Sequence, residues 1–339
     1  MKPNAEIVVV TNRMDPAALE LLHAHFQVIA NTNDQPWTRE ELLARAQSAS
    51  AVVAFMTDRM DDAFLTKCPL LKIVSCALKG YDNFDVEAFK RHGVWLSIVP
   101  DLLSMPTAEL TVGLMIAAAR AFHHGDRFVR SGNFHGWRSI WSGSTISGSI
   151  VGIIGMGSLG SAIAKCLKGF NPQIIYHDVR QISSDRLKEL GLTWVERDEL
   201  LSRSDFIVLA APLLPQTTHM IDSRALALVK HGAVLINAAR GSLVNEEAVA
   251  EALKNGALSA YAADVYELED QIRSGRPLEI PPQLLNSDRT IFTPHIGSAI
   301  PAIRREIELF AANSIVQFFD GVRPPPGAVF QVGRNSAPC

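Results

Sequence analysis

The segment around residues 150–178 constrains the fold more than any other. A short apolar run, Ile150–Ile154, leads straight into Gly155-Met156-Gly157-Ser158-Leu159-Gly160. A helical-period stretch, SLGSAIAKCLKGF, follows, and a second apolar run, Gln173–His177, ends at Asp178. Strand, glycine turn, helix and parallel strand in this order form a βαβ unit that can seat a pyrophosphate. Gly155 makes the tight turn, Gly157 lets the backbone approach the ligand, and Gly160 lets the helix pack on its strand. Ser158 and Leu159 would offer free N–H groups at the positive helix end. Asp178 stands 18 residues past Gly160, close to the spacing of an acid that holds the adenosine ribose hydroxyls. A carboxylate there favours NAD over NADP, although Arg180, two positions on, leaves room for some NADP tolerance. The plain alternative, a tight turn with no ligand, does not account for the strand, helix and acid all at the required spacing.

The same alternation runs through most of the chain. Before the glycine segment, Ile7–Thr11, Phe26–Ala30, Ala51–Phe55, Leu71–Cys76 and Val94–Ile98 read as strands with helical patterns between them. Thr38 followed by Glu41 is a capping-box spacing that announces one of those helices. A long apolar helix follows Pro106. After the glycine segment, FIVLAAP, AVLINAAR, ALSAYAADV and TIFTPH read as further strands. The expected class is therefore α/β, with two Rossmann-like or flavodoxin-like, doubly wound parallel-sheet domains. Between the two halves, RSGNFHGWRSIWSGSTISG has no periodicity and reads as an irregular arm. The Pro-rich tail from residue 322 to 339 reads as extended or disordered.

Composition narrows the function classes. With 32 basic and 35 acidic residues the formal net charge is −3, and no Lys/Arg cluster is present that would track a phosphate backbone, so nucleic acid is not an expected partner. Cys68, Cys76, Cys166 and Cys339 form no C-x-x-C pair, which argues against a metal site and a disulfide framework. The apolar run from Leu110 to Ala119 is far shorter than a membrane span, so a soluble, cytoplasmic protein is expected.

Three polar residues stand at the ends of strand candidates in the second half: Arg240 after AVLINAA, Glu269 within AADVYELED, and His295 after TIFTP. Each alone has a bland reading, as a solvated cap, a solvated charge or a structural imidazole. As a set at strand ends, where open parallel sheets place their ligands, they form an Arg–Glu–His constellation.

With GMGSLG, NAARGSLVNEEAV, AADVYELED and FTPHIGSA, the chain resembles the D-isomer-specific 2-hydroxyacid dehydrogenases over nearly its whole length. The resemblance implies a nucleotide-binding domain inserted into a discontinuous substrate domain. Here that means a substrate domain of residues 1–100 and 295–321 and an NAD-binding Rossmann domain of 101–294. It further implies a homodimer, with an arm at about 122–148 embracing the partner. By the same resemblance Arg240 holds an anionic substrate, His295 moves a proton and Glu269 orients the imidazole. Asp264 would hold the nicotinamide carboxamide, and Thr107 and Pro212 would touch the cofactor.

One segment departs from the common family pattern. Where small residues resembling GAGVDNID are usual, this chain reads Cys76-Ala77-Leu78-Lys79-Gly80-Tyr81-Asp82-Asn83-Phe84-Asp85. A monocarboxylate needs one bidentate arginine and a few N–H groups, whereas a compact dianion gains from a second full cation. ALKGYDNFD, AFMTDRM, VPDLLSMPTAEL and SGNFHGW resemble the phosphite-oxidising branch of the family, the phosphonate dehydrogenases. That resemblance implies phosphite bound by Lys79, Gly80 and Arg240, with Met56 lining the pocket and Ser298 and Arg304 nearby. Trp137 fits the same pattern, but Ser142 stands where an aromatic hydroxyl is expected. The alternatives are a D-2-hydroxyacid dehydrogenase of the glyoxylate or hydroxypyruvate reductase kind, and a non-catalytic NAD-sensing corepressor.

Overall fold

A computed structural model describes residues 6–139, 143–271 and 273–331. The chain divides into two compact units. The first comprises residues 1–102, 271–274 and 299–339, and the second comprises 103–270 and 275–298.

The first unit holds strands β1 (Ile7–Val10), β2 (Gln27–Ala30), β3 (Ala51–Ala54), β4 (Ile73–Cys76) and β5 (Trp95–Ile98), all parallel in the order β2-β1-β3-β4-β5. Every residue of β3 and β4 is buried, as continuous apolar runs in a sheet covered on both faces require. The helix Arg39–Ala46 starts at the expected box: Thr38 Oγ1 accepts the Glu41 N–H at 3.3 Å and Glu41 Oε2 accepts the Thr38 N–H at 2.9 Å. The last helix, Pro301–Phe319, packs on β4 and on the helix Pro16–His25, and buries Ile307, Ala311, Ala312, Ile315 and Phe318.

The tail, expected to be extended or disordered, is described as far as residue 331. Its first part returns to the sheet edge: the Ile98 N–H donates to Gly327 O at 3.0 Å, the Val329 N–H donates to Leu96 O at 2.9 Å, and Phe330 stacks on Trp95. An open edge beside β5 attracts any segment with free N–H and C=O groups, and composition alone does not show that.

The second unit holds β6 (Ile150–Ile154), β7 (Gln173–His177), β8 (Leu192–Trp194), β9 (Phe206–Leu209), β10 (Ala233–Asn237), β11 (Leu258–Ala263) and β12 (Thr290–Phe292). All are parallel, in the order β12-β11-β10-β9-β6-β7-β8. Strand β6 pairs β7 on one side and β9 on the other, which makes the β6/β9 boundary the point where the strand order reverses. The helix Ser104–Ala119 packs on the helix Ser158–Leu167 and on β10 and β11.

The arm is regular at first. Phe122–Arg130 is a helix with no buried residue, and residues 131–139 are all exposed. A second difference concerns the unit boundary, expected before residue 295. His295 through Ser298 stay with the second unit because Asp264 holds them there, as described next.

Candidate active site

The glycine loop leaves β6 at the reversal point. Gly155 has φ 97°, and a Cβ there would lie 2.6 Å from Ala210 C, so the turn and its approach to the end of β9 both require glycine. A Cβ on Gly160 would lie 2.1 Å from Gly155 O, which is the close helix-to-strand packing expected of the third glycine. Gly157 is different. It is exposed, and a Cβ there would meet nothing within 4 Å, so its missing side chain leaves open space over the helix start. The first N–H groups of the helix, including those of Ser158 and Leu159, have no acceptor within the helix and border that space. The cradle fits an anionic pyrophosphate.

Asp178 follows β7, as expected. Its Oδ2 accepts the Met156 N–H at 2.7 Å and its Oδ1 accepts the Arg180 N–H at 3.1 Å, so it braces the glycine loop from the neighbouring strand. The Trp194 indole donates to Asp178 O at 3.3 Å, a role for β8 that the sequence did not suggest. Pro212 follows β9 and is exposed, and its carbonyl accepts the Thr217 hydroxyl at 2.7 Å.

Arg240, Glu269 and His295 follow β10, β11 and β12, three neighbouring strands of one sheet. His295 Nδ1 lies 2.5 Å from Glu269 Oε2, and Glu269 Oε1 accepts the Tyr266 N–H at 2.8 Å. His295 holds a left-handed φ of 55°, fixed by donation of its N–H to Asp264 O at 2.9 Å. Such strain in a side chain with a defined partner is characteristic of functional sites. The Arg240 turn is seated beside the Glu269 turn by Gly241, where a Cβ would lie 1.9 Å from Tyr266 C. Arg240 Nη1 donates to Ala239 O at 2.7 Å, and Asn237 Nδ2 donates to Arg240 O at 2.8 Å.

Asp264, which the resemblance places at the nicotinamide carboxamide, also has partners within the chain. It is 1% exposed, and its carboxylate accepts the Thr293 hydroxyl at 2.6 Å and the N–H groups of Ile296 and Gly297 at 2.8 and 2.9 Å. Its oxygens hold the His295 loop. Thr107 borders the same loop, since a Cβ on Gly297 would lie 3.0 Å from Thr107 Oγ1, and Ser298 follows half-buried.

In the first unit, Met56, Lys79 and Asp101 follow β3, β4 and β5, again neighbours in the sheet. Lys79 Nζ donates to Asp101 Oδ1 at 2.7 Å, so the ammonium is held at the strand end. The Met56 loop and the turn after Gly80 are joined by Asn83, whose Nδ2 donates to Met56 O at 3.0 Å. Arg304 reaches the same strand end. Its Nη1 lies 3.4 Å from Ala77 O, while buried Glu308 accepts from its Nη2 at 2.8 Å. Met56, Lys79 and Arg304 thus gather around the carboxyl end of β4. Trp137 is 86% exposed on the arm and belongs to neither group within the chain. Ser142 lies outside the described residues.

A glycine loop at the strand-order reversal of a seven-stranded parallel sheet, with an Arg–Glu–His set on three neighbouring strand ends, defines an oxidoreductase that uses a pyridine dinucleotide. Residues 112–297 match the D-isomer specific 2-hydroxyacid dehydrogenase, NAD binding domain, and the chain belongs to that family. It is 35% identical to a glyoxylate reductase of Pyrococcus furiosus over 330 residues, covering 96% of this chain and 95% of that one. A glyoxylate reductase structure from Paecilomyes thermophila superposes with a TM-score of 0.84 at 27% identity, covering 96% of this chain and 99% of that chain. The D-lactate dehydrogenase of Aquifex aeolicus, solved with NAD and lactic acid, gives 0.82 at 25% identity over 93% of this chain and 96% of that chain. The second unit is accordingly an NAD-binding domain.

Proposed function

We propose that this chain oxidises phosphite to phosphate with NAD. The observation that carries the reading is the Lys79 ammonium, fixed 2.7 Å from Asp101 Oδ1 at the carboxyl end of β4. That end of a parallel sheet is where ligands bind, and a second full cation suits a compact dianion better than a monocarboxylate. In this reading phosphite, NAD and water give phosphate, NADH and a proton. The dinucleotide supplies a hydride acceptor. The cations of Arg240 and Lys79 each suit phosphite oxygens and the charge that builds on them as water adds to phosphorus. His295 takes the proton of that water at Nε2, because Glu269 holds Nδ1–H and leaves the other nitrogen's lone pair free in the neutral ring. Met56 and Arg304 shape and charge the surroundings of Lys79, and Ser298 those of His295. Asp178 selects NAD over NADP.

The same reading assigns a homodimer contact to the arm at 122–148. Phe122, Val129, Phe134 and Trp137 are all exposed there, more large apolar surface than a solvated segment of this length needs.

A second reading, reduction of glyoxylate or hydroxypyruvate, is favoured by the names of the relatives. The Arg240, Glu269 and His295 set would serve it equally well, with His295 giving its proton to the substrate carbonyl oxygen. Lys79 separates the two readings. Under the first, Lys79→Ala raises the KM for phosphite at least about tenfold, and an added small amine partly restores activity. A Lys79→Ala enzyme with unchanged phosphite kinetics would overturn the assignment.

A further inference from the structure

The turn carrying Arg240 and the turn carrying Glu269 are fastened together by buried acids outside the Arg–Glu–His set. Glu246 and Glu267 are 1% and 5% exposed, and each carboxylate accepts the backbone N–H of the other residue. The Glu267 N–H donates to Glu246 Oε1 at 2.9 Å and the Glu246 N–H donates to Glu267 Oε1 at 3.0 Å. The second oxygen of Glu267 lies 2.7 Å from His219 Nε2. His219 adopts φ 52°, uncommon for a side-chain-bearing residue, and its own N–H donates to Ser242 O at 2.7 Å. The Ser242 N–H donates in turn to Asp270 Oδ2 at 2.7 Å. With Gly241 pressed on the Tyr266 backbone, the segments 240–246 and 266–270 have little freedom to slide past each other.

The charge balance of this set is unusual. Glu246 is faced by Glu267, Asp270 and Glu269, by the hydroxyls of Tyr261 and Tyr266, and through Glu267 by His219. Burial first, and then those three carboxylates, push the Glu246 carboxyl up to about 7. Its Oε2 is buried with no hydrogen-bond partner among the described residues, which costs far less for a neutral carboxyl than for a charged one.

We propose that Glu246, Glu267 and His219 are positioning residues that fix the Arg240 turn against the Glu269 turn, and that Glu246 does so in its protonated form. The proposal rests on Arg240 being the ligand of the substrate anion. Loss of the Glu246 proton places another buried negative charge among Glu267, Asp270 and Glu269. That loosens the clamp between the two turns and weakens capture of the anion, without touching the glycine loop.

The test is steady-state kinetics between about pH 6 and 9, with whichever of phosphite or hydroxypyruvate the wild type turns over, on wild type, Glu267→Gln, Glu246→Gln and Arg240→Lys. Glu267→Gln, which loses the charge facing His219, should raise the substrate KM at least about tenfold and leave the NAD KM within about twofold. Glu246→Gln, a permanent mimic of the protonated acid, should keep neutral-pH kcat/KM within about threefold and flatten the alkaline rise in substrate KM. Should Glu267→Gln fail to fold, Glu246→Gln decides alone through its pH profile. If Arg240→Lys leaves substrate KM unchanged, the assignment of Arg240 fails. If Arg240→Lys raises substrate KM while the Glu246→Gln pH profile runs parallel to wild type, the positioning proposal is overturned.

Discussion

Glu269 and His295 meet across the ends of two adjacent parallel strands, with Glu269 Oε2 2.5 Å from His295 Nδ1 and the other carboxylate oxygen tied to the Tyr266 N–H at 2.8 Å. The carboxylate is therefore fixed at both ends, and Nε2 is the imidazole nitrogen that Glu269 does not touch. His295→Ala should lower kcat by roughly two to four orders of magnitude while NAD affinity stays near wild type. Glu269→Gln should lower it less, because the amide still holds the ring but can no longer accept the Nδ1 proton as an anion. Turnover numbers with NAD titrations check both. Near-normal turnover in His295→Ala would remove the imidazole from the chemistry.

The glycine loop separates structural from ligand-bearing positions. Alanine at 160 would drive its Cβ to 2.1 Å from Gly155 O, so Gly160→Ala should lose stability and NAD affinity together. Alanine at 157 meets open space, so Gly157→Ala should keep its melting temperature while NAD binding weakens by about tenfold or more. Calorimetry of both variants with and without NAD distinguishes the cases. Unaltered NAD affinity in Gly157→Ala would mean that the pyrophosphate lies elsewhere.

Asp178 braces the Met156 N–H in the structure, and the proposed function gives its charge to the ribose side of the dinucleotide. Asp178→Ala should therefore lower efficiency with NAD and raise it with NADP, Arg180 then standing as the nearest cation in sequence. Parallel kinetics with the two dinucleotides measure the switch. An unchanged ratio would place cofactor selection in another residue.

In the first unit, burial raises the Asp58 carboxyl to about 6 even though it accepts from the Thr11 hydroxyl and, at 2.7 Å, from the Phe55 N–H. Its folded value lies above the unfolded one, so the stability it contributes is full below about pH 4 and is lost as pH rises through about 6. Asp58→Asn keeps an acceptor oxygen and removes that dependence. The variant should unfold with a flatter stability profile across this window, a difference on the order of 3 kcal/mol between its two ends. Denaturant unfolding at several pH values reads it directly, and parallel profiles would contradict it.

Much of this architecture was legible because buried parallel strands are written as β-branched runs. Ala51–Phe55 and Val94–Ile98 differ by a single residue from the observed β3 and β5. Features that depend on distant partners were not legible. Strand β8 is three residues long, and its role appears only where Trp194 reaches Asp178 O. The helix Phe122–Arg130 parts from the apolar helix before it only at Ala121, whose left-handed φ of 48° is not written in its residue type. Glu246 and Glu267 look like solvated charges in NEEAV and ELED. Their burial follows from two turns that close on each other only once β10 and β11 are paired. The hold of Asp264 on the His295 loop was not legible for the same reason: the N–H groups of Ile296 and Gly297 come from more than 30 residues away.

In the proposed function the Lys79 cation adapts this dehydrogenase scaffold to phosphite. The direct measurement is kcat/KM of the purified wild-type protein for phosphite with NAD, beside glyoxylate, hydroxypyruvate and pyruvate with NADH. Phosphite should lead by at least about a hundredfold, roughly 2.7 kcal/mol of transition-state binding. Robust turnover of glyoxylate or hydroxypyruvate with no NADH formed from phosphite would contradict it.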